Sequence, residues 1–123
     1  MPLQFLLDEN LRGGGLWQAI QQHNAAGAIP IDAIRVGDPP DLPLGTPDGQ
    51  ILSWAEQAAR ILVSFDRKTL SGHLANHLKA GNHSPGVFLL RPGSSIPQIV
   101  FHLELATAAG DPASFRDRIE YVP

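Results

Sequence analysis

The sequence of 123 residues contains no cysteine. This absence excludes disulfide bonds, catalytic thiolates and zinc sites built from cysteine, and it fits a reducing compartment. The chain also lacks any apolar run near the roughly 18 residues that a membrane-spanning helix needs. Its first apolar run, LQFLL at 3–7, is short and has no basic segment before it, so it does not resemble a secretory signal. We therefore expect a cytoplasmic protein without a membrane segment.

Net charge is also small, −3 from 12 acidic and 9 basic residues. Proteins that bind nucleic acid usually carry a basic patch for the phosphates, so any such role here would need local charges and a bound cation. The hydrophobic fraction of 43% and the charged fraction of 17% predict a globular protein. The length favours one domain that covers residues 1–123.

Short apolar runs alternate with longer amphipathic segments along the chain. The predicted strands are 3–7, 31–36, 61–65, 86–90 and, as a possible fifth, 118–122. The predicted helices are 16–23, 47–60, 68–81 and 95–110, and a proline-rich loop covers the segment 37–47 up to the start of the second helix. Regular alternation of strand and helix with short links predicts an α/β fold with a mainly parallel sheet.

The proline-rich loop ends with a pattern that is typical of a helix start. Thr46 is predicted as the N-cap, Pro47 as the first helical residue, and Asp48 as an acid favoured by the positive helix N-terminus. At the far end of the next helix, Gly81 is the predicted C-terminal stop.

Acidic residues follow the predicted strands in a pattern that points to one edge of the sheet. Asp8 and Glu9 come directly after the first strand, and Asp66 follows the third. Asp48 begins the helix that leads into that third strand, so it starts from the same edge. Ligands of open parallel sheets bind at the carboxyl ends of the strands, so these acids predict a site.

Clustered carboxylates repel one another unless a cation lies among them. Their oxygens are the ligands that Mg²⁺ and Mn²⁺ prefer, and such a metal can assist phosphodiester hydrolysis. Each acid also has a structural alternative. Asp48 could serve only the helix dipole, Asp66 could cap a helix, and the segment 8–10 could be a polar turn.

Three segments resemble the short PIN-like domains of bacteria, relatives of the VapC-type toxin ribonucleases. They are LLDEN at 6–10, LPLGTPDGQILSWAEQAARILVSFDRKT at 42–69 and SPGVFLL at 84–90. The resemblance extends loosely over nearly the whole chain. It implies a single-domain, three-layer α/β/α sandwich with a mainly parallel sheet and the first strand central.

The resemblance also implies roles for particular residues. Asp8, Asp48 and Asp66 match the family's catalytic acids and metal ligands, and Glu9 is a further candidate ligand. Ser64 and Asn10 match positions that order the site or contact substrate. Arg12 and Arg67 flank the acids, so we predict that they hold substrate phosphates, with ion pairing to Asp or Glu as the alternative.

The function that the resemblance implies is Mg²⁺- or Mn²⁺-dependent cleavage of RNA by the toxin component of a toxin–antitoxin pair. Its partners would be the RNA substrate, a cognate antitoxin protein and a second copy in a homodimer. Longer PIN domains carry a further acid where this chain has its proline-rich loop. We therefore keep a second hypothesis, a catalytically weak PIN-like module that binds protein or RNA.

Two other interpretations are less favoured. A receiver-like or flavodoxin-like domain also carries acids at strand ends, but a receiver should have a lysine where Arg91 and Pro92 stand after the fourth strand. His73 and His77 have the spacing of a helical metal pair. They lie beside a leucine stripe, so we predict that they are boundary residues and not a zinc site.

Overall fold

Strands and helices alternate through residues 3–27 and 29–122, which the computed structural model describes. The strands are β1 Gln4–Leu7, β2 Asp32–Arg35, β3 Ile61–Ser64, β4 Val87–Leu90 and β5 Ile119–Val122. The helices are α1 Leu16–Ala25, α2 Asp48–Ala58, α3 Leu70–Lys79, α4 Ile96–Ala109 and α5 Pro112–Phe115, with a 3-10 helix at Glu9–Leu11. Residues 1, 2, 28 and 123 of the predicted domain lie outside the described residues.

The five described strands form one parallel sheet in the order β2-β1-β3-β4-β5. The predicted α/β class with a parallel sheet is therefore confirmed. The expectation that the first strand is central is wrong, because β3 holds the middle position and β1 lies beside it. On the side of β1 away from β3 there is a single strand, β2. The proline-rich segment 37–47 that follows β2 forms no further strand there.

Both faces of the sheet are buried, which explains why the strands are almost continuously apolar. Along β1, Phe5 and Leu7 face one cluster and Leu6 faces the other. The first cluster includes Leu16, Ile20, Ile99 and Leu103 of α1 and α4. The second includes Ile51, Leu52, Leu70 and Leu74 of α2 and α3. The sheet thus lies between two helical layers, consistent with the predicted three-layer sandwich.

Helix α2 begins one residue later than the sequence predicts. Pro47 is the N-cap, and its carbonyl accepts from the backbone N–H groups of Gln50 and Ile51, each at 3.0 Å. Thr46 does not cap the helix, because its Oγ1 donates to the carbonyl of Pro43 inside the loop, at 2.6 Å. Asp48 is consequently the first residue of the helix.

The C-terminal half contains one helix that the sequence pattern leaves unassigned. Asp111 begins it by accepting a hydrogen bond from the backbone N–H of Ala113, and the helix extends over Pro112–Phe115. Helix α4, which precedes it, starts with a capping box between Ser95 and Gln98. Across residues 3–27 and 29–122, no helix combines the length and apolar character needed to cross a membrane.

Gly86 fixes the approach of the chain to β4, and we expect Gly86→Ala to destabilise the fold. Its φ of +128° is unfavourable for a residue with a Cβ, and the added Cβ would lie 2.6 Å from the carbonyl oxygen of Phe115. Backbone strain alone should cost about 1–3 kcal/mol in the free energy of unfolding, measured by urea titration.

Gly72→Ala is the matched control for this change. Gly72 lies in the first turn of α3, and apart from its chain neighbours and the nearby helix backbone no atom lies within 4 Å of an added Cβ. Removing glycine from a helix should raise the free energy of unfolding by about 0.5–1 kcal/mol. Equal effects of the two substitutions would contradict this explanation of Gly86.

Candidate functional site

An open cleft of about 340 Å³ lies at the carboxyl ends of β1 and β3. The chain runs outward from β1 to β2 and then returns to β3 on the other side of β1, so the strand order reverses between β1 and β3. Ligands of open α/β sheets bind at such a reversal. The residues that line the cleft are Asp8, Glu9, Asn10, Thr46, Asp48, Ile51 and Asp66.

Asp8 extends the pairing of β1 with β3 by one residue and then begins the 3-10 helix. Its backbone N–H donates to the carbonyl of Val63 at 2.9 Å. Its carboxylate accepts from the backbone N–H of Glu9 through Oδ1 and from Ser64 Oγ through Oδ2, both at 2.7 Å. The residue is only 6% exposed, which places the carboxylate at the inner wall of the cleft.

Burial raises the pKa of the Asp8 carboxyl above its ordinary value near 3.8. The hydrogen bonds from Ser64 and Glu9 oppose this rise, and the negative charges of Asp48 and Asp66 add to it. All three residues line the same cleft. The sequence prediction that these three acids meet at one edge of the sheet agrees with this geometry.

Ser64 connects the residues at the inner wall of the cleft. Its fully buried hydroxyl donates to Asp8 Oδ2 and accepts from Asn10 Nδ2 at 3.2 Å and from the backbone N–H of Asp66 at 3.0 Å. Asn10 completes the connection because its Oδ1 accepts from the backbone N–H of Phe65 at 3.3 Å. Ser64 and Asn10 thus hold the ends of β1 and β3 together.

Asp66 both lines the cleft and closes the turn before α3. Its Oδ1 accepts from the backbone N–H groups of Lys68 and Thr69, at 3.2 and 3.1 Å, and its Oδ2 accepts from the hydroxyl of Thr69. The Thr69 hydroxyl is the main reason why the pKa of Asp66 lies below its ordinary value. Asp66 therefore lines the cleft and closes the turn before α3, but it does not cap the helix as the alternative predicted, because the N-cap of α3 is Thr69.

Asp48 lies across the cleft with His73 of α3 as its neighbour. The distance from His73 Nε2 to Asp48 Oδ2 is 3.6 Å, and the charge of His73 also helps to lower the pKa of Asp66. His77 is buried instead, with its Nε2 3.0 Å from Glu56 Oε1 and 2.8 Å from the carbonyl oxygen of His83. The two imidazoles have different partners, so the structure does not bring them together as a pair.

The remaining predicted residues connect the cleft to its surroundings. Glu9 Oε1 accepts from the backbone N–H of Gly45 at 2.7 Å and so holds the proline-rich loop. Arg12 Nη1 donates to the carbonyl of Val36 at 2.8 Å and to Asp38 at 3.3 Å. These contacts match the ion-pairing alternative for Arg12, and its role with phosphate stays a prediction.

Arg67 lies beside Asp66 but its guanidinium is directed toward the last strand. The guanidinium carbon is 5.8 Å from the ring centre of Tyr121, at a distance that allows a cation–π contact. Arg67 itself is exposed to solvent. A phosphate role for Arg67 remains a prediction as well.

The carboxylates of Asp8, Asp48 and Asp66 line one cleft but are not arranged as a metal coordination shell. Among residues 3–27 and 29–122, no three His, Asp or Glu side chains are arranged to hold a metal ion. Their donor chemistry does fit Mg²⁺ or Mn²⁺, since all three carry carboxylate oxygens. Each oxygen of Asp8 accepts one hydrogen bond and Asp66 Oδ2 accepts one, so each keeps a further lone pair.

Thr69 is a site residue that the sequence analysis missed. Its hydroxyl and backbone N–H both bind the Asp66 carboxylate. The spacing of an acid three residues before a threonine, just ahead of a helix, is a recognisable turn and capping pattern and could have indicated the contact. Thr46, which lines the cleft, has no comparable signal because the loop conformation brings it there.

No relative of this chain emerges from comparison with known proteins. The chain matches no protein-family model, no curated protein and no solved structure. The resemblance to PIN-like domains therefore remains a prediction that depends on the motifs of the chain itself.

We expect Ser64→Ala to destabilise the protein strongly. The change leaves the Asp8 carboxylate without one donor and leaves the donors of Asn10 and Asp66 without their acceptor. A buried polar group that loses its partner costs about 1–3 kcal/mol, which urea unfolding can measure.

Ser84→Ala is the matched control, because Ser84 is also buried but its hydroxyl accepts a single described hydrogen bond, from the backbone N–H of Gly86 at 3.0 Å. We expect a smaller loss of unfolding free energy for this variant. A larger loss for Ser84→Ala than for Ser64→Ala would show that the Ser64 contacts contribute little.

The opposite pKa shifts of Asp8 and Asp66 predict opposite dependences of stability on pH in the absence of divalent metal. Asp8 has a raised pKa in the folded state, so its contribution to stability falls as pH rises from about 3.8 through that raised value. Asp66 has a lowered pKa, so its contribution is present above about 3.8 and is lost as pH falls through the lowered value.

Unfolding free energies of the wild type, Asp8→Asn and Asp66→Asn, measured from about pH 3 to about pH 7, test this prediction. With rising pH, the wild type should lose stability relative to Asp8→Asn and gain stability relative to Asp66→Asn. The same sign for both differences would contradict the environments described for the two acids.

Proposed function

We propose that this protein is a PIN-like, Mg²⁺- or Mn²⁺-dependent ribonuclease. The observation that supports this proposal most is the meeting of Asp8, Asp48 and Asp66, from three separate segments, at one cleft. The negative charges of Asp48 and Asp66 both raise the pKa of Asp8. A cleft in which two carboxylates repel a buried third one is suited to a divalent cation, which would offset that repulsion.

In this proposal Asp8, Asp48 and Asp66 would hold the cation, Asp8 and Asp66 through the lone pairs that their hydrogen bonds leave free. A cation held there would supply positive charge that favours hydrolysis of a phosphodiester. Ser64 positions the Asp8 carboxylate through its 2.7 Å hydrogen bond, and Thr69 positions that of Asp66. Asn10 keeps the Ser64 hydroxyl oriented toward Asp8.

The exposed bases beside Asp66 supply the contact with the rest of the RNA backbone. Arg67 and Lys68 are both exposed, and their backbone follows directly from the cleft. Basic side chains at phosphates position a nucleic acid without reading its sequence. Arg12, which donates to the carbonyl of Val36 and to Asp38, is the third candidate.

The biological setting proposed from the resemblance is a cytoplasmic toxin component of a toxin–antitoxin pair. Its substrate is then RNA, its partner a cognate antitoxin protein, and a second copy of the chain a further partner in a homodimer. These assignments accompany the nuclease proposal and are tested after it.

A second candidate function is a catalytically weak PIN-like module that binds protein or RNA. One observation favours it. Three of the four lone pairs of the Asp66 carboxylate are already engaged by the turn before α3, which leaves that residue a single position for a metal. Metal binding distinguishes the two candidates.

Calorimetric titration with Mn²⁺ and Mg²⁺ is the primary test. We expect the wild type to bind metal, and Asp48→Asn and Asp66→Asn to bind at least about tenfold more weakly while circular dichroism shows an intact fold. Asp32→Asn is the matched control, because Asp32 starts β2 at the opposite edge of the sheet, 2.9 Å from Arg60. It removes the same charge and should leave metal affinity unchanged.

Cleavage of single-stranded RNA, with and without EDTA, completes the test. Metal-dependent cleavage that is lost in Asp66→Asn would support the nuclease. A folded wild type that binds neither metal would overturn the nuclease proposal and leave the binding module. Equal affinity in Asp66→Asn and the wild type would contradict the role of Asp66 as a ligand.

A further inference from the structure

A second, larger cleft lies beside the acidic one, between the proline-rich loop and α2. Its volume is about 450 Å³. The loop contributes residues 41–47, and the helix contributes Gln50, Ser53, Trp54 and Gln57. We call this feature the loop–helix groove. Neither the metal site nor the phosphate contacts proposed above use it.

The lining of the loop–helix groove differs chemically from that of the acidic cleft. Gln50, Ser53 and Gln57 recur at helical spacing along one side of α2, so their amides and hydroxyl follow the groove. The single charged lining residue is Asp41, whose Oδ2 accepts from Trp54 Nε1 at 3.0 Å. The loop side adds apolar residues, Leu42, Pro43, Leu44 and Pro47. The groove thus combines aromatic and apolar side chains with neutral donors and acceptors, and none of its lining residues is a lysine or an arginine.

The groove adjoins the acidic cleft. Thr46 lines both of them. The hydrogen bond from the backbone N–H of Gly45 to Glu9 fixes the loop at the boundary between them. A chain with a phosphate in the acidic cleft would therefore have its next unit at the groove.

We propose that the loop–helix groove binds a nucleobase of single-stranded RNA, next to the phosphate held in the acidic cleft. This inference rests on the proposed ribonuclease function and names how its substrate is held. Unpaired bases stack on aromatic side chains and form hydrogen bonds along their edges, which is the chemistry that Trp54, Gln50 and Gln57 offer. A phosphate would instead require a cationic lining.

The indole groups provide a direct test, because the chain has only two tryptophans. Trp17 lies in α1 with the guanidinium of Arg35 4.4 Å from its ring centre, and it packs against the opposite face of the sheet from Trp54. Each indole N–H gives its own cross-peak in a ¹H–¹⁵N spectrum, and Trp17→Phe assigns them. The probes are uncharged nucleosides, titrated in EDTA so that no metal contributes.

We expect nucleosides to shift the Trp54 cross-peak in a saturable manner, with no comparable shift at Trp17 and none from ribose 5-phosphate. Gln50→Ala and Gln57→Ala should each weaken binding roughly three- to tenfold, because each removes hydrogen bonds to the base. Gln21→Ala, on the exposed surface of α1, is the matched control and should have no effect. Asp66→Asn should bind nucleosides as the wild type does.

The outcomes separate this inference from the proposed function. No saturable shift at Trp54, an equal shift with ribose 5-phosphate, or unchanged affinity in both groove variants would overturn the nucleobase site, whatever the metal titrations show. If the groove binds a peptide instead of a base, nucleosides should give no saturable shift at Trp54. Nucleoside binding at Trp54 in a protein that binds no metal would retain the nucleobase site and remove only the nuclease.

Discussion

The hydrogen bond from Ser64 Oγ to Asp8 Oδ2 is the interaction on which the carboxyl edge of the sheet depends. It joins the ends of β1 and β3, the two strands between which the strand order reverses. The bond supplies a donor to a carboxylate that burial would otherwise penalise, and the same hydroxyl organises Asn10 and the backbone of Asp66. The apolar layers on both faces hold the strands in register, and the register makes the bond possible.

Two acids at this edge show how surroundings set the chemistry of one residue type. Asp8 is buried, and its charge is costly despite two hydrogen bonds. Asp66 lies two residues beyond β3 in a turn, where a hydroxyl and backbone N–H groups stabilise its charge. Burial therefore disfavours the charge of Asp8, while the hydrogen bonds of the turn before α3 already order Asp66. The cleft thus combines one carboxyl whose ionisation is disfavoured with one whose ionisation is favoured and whose position is fixed by hydrogen bonds.

Much of the fold could be predicted because the signals are local. Apolar runs gave the strands, and parallel strands place their carboxyl ends together, so the proximity of Asp8 and Asp66 followed from pattern alone. The strand order could not be predicted in the same way. It depends on the path of the loop 37–47, which takes the chain from β2 back toward β3 on the other side of β1. The partners of Glu9 and Arg12 were equally out of reach, because Gly45 and Val36 meet them only through tertiary register. Local periodicity carries no information about such contacts.

The distance along the chain between the acids has a consequence for how the protein matures. Asp8, Asp48 and Asp66 belong to segments that meet only when β1 pairs with β3, a parallel contact that closes a long loop. Such contacts form late and slowly, because loop entropy must be overcome before they stabilise anything. A chain still emerging from the ribosome, with β3 unmade, has no acidic cleft at all. The acidic cleft therefore requires the chain to be made through Asp66 and β1 to have paired with β3.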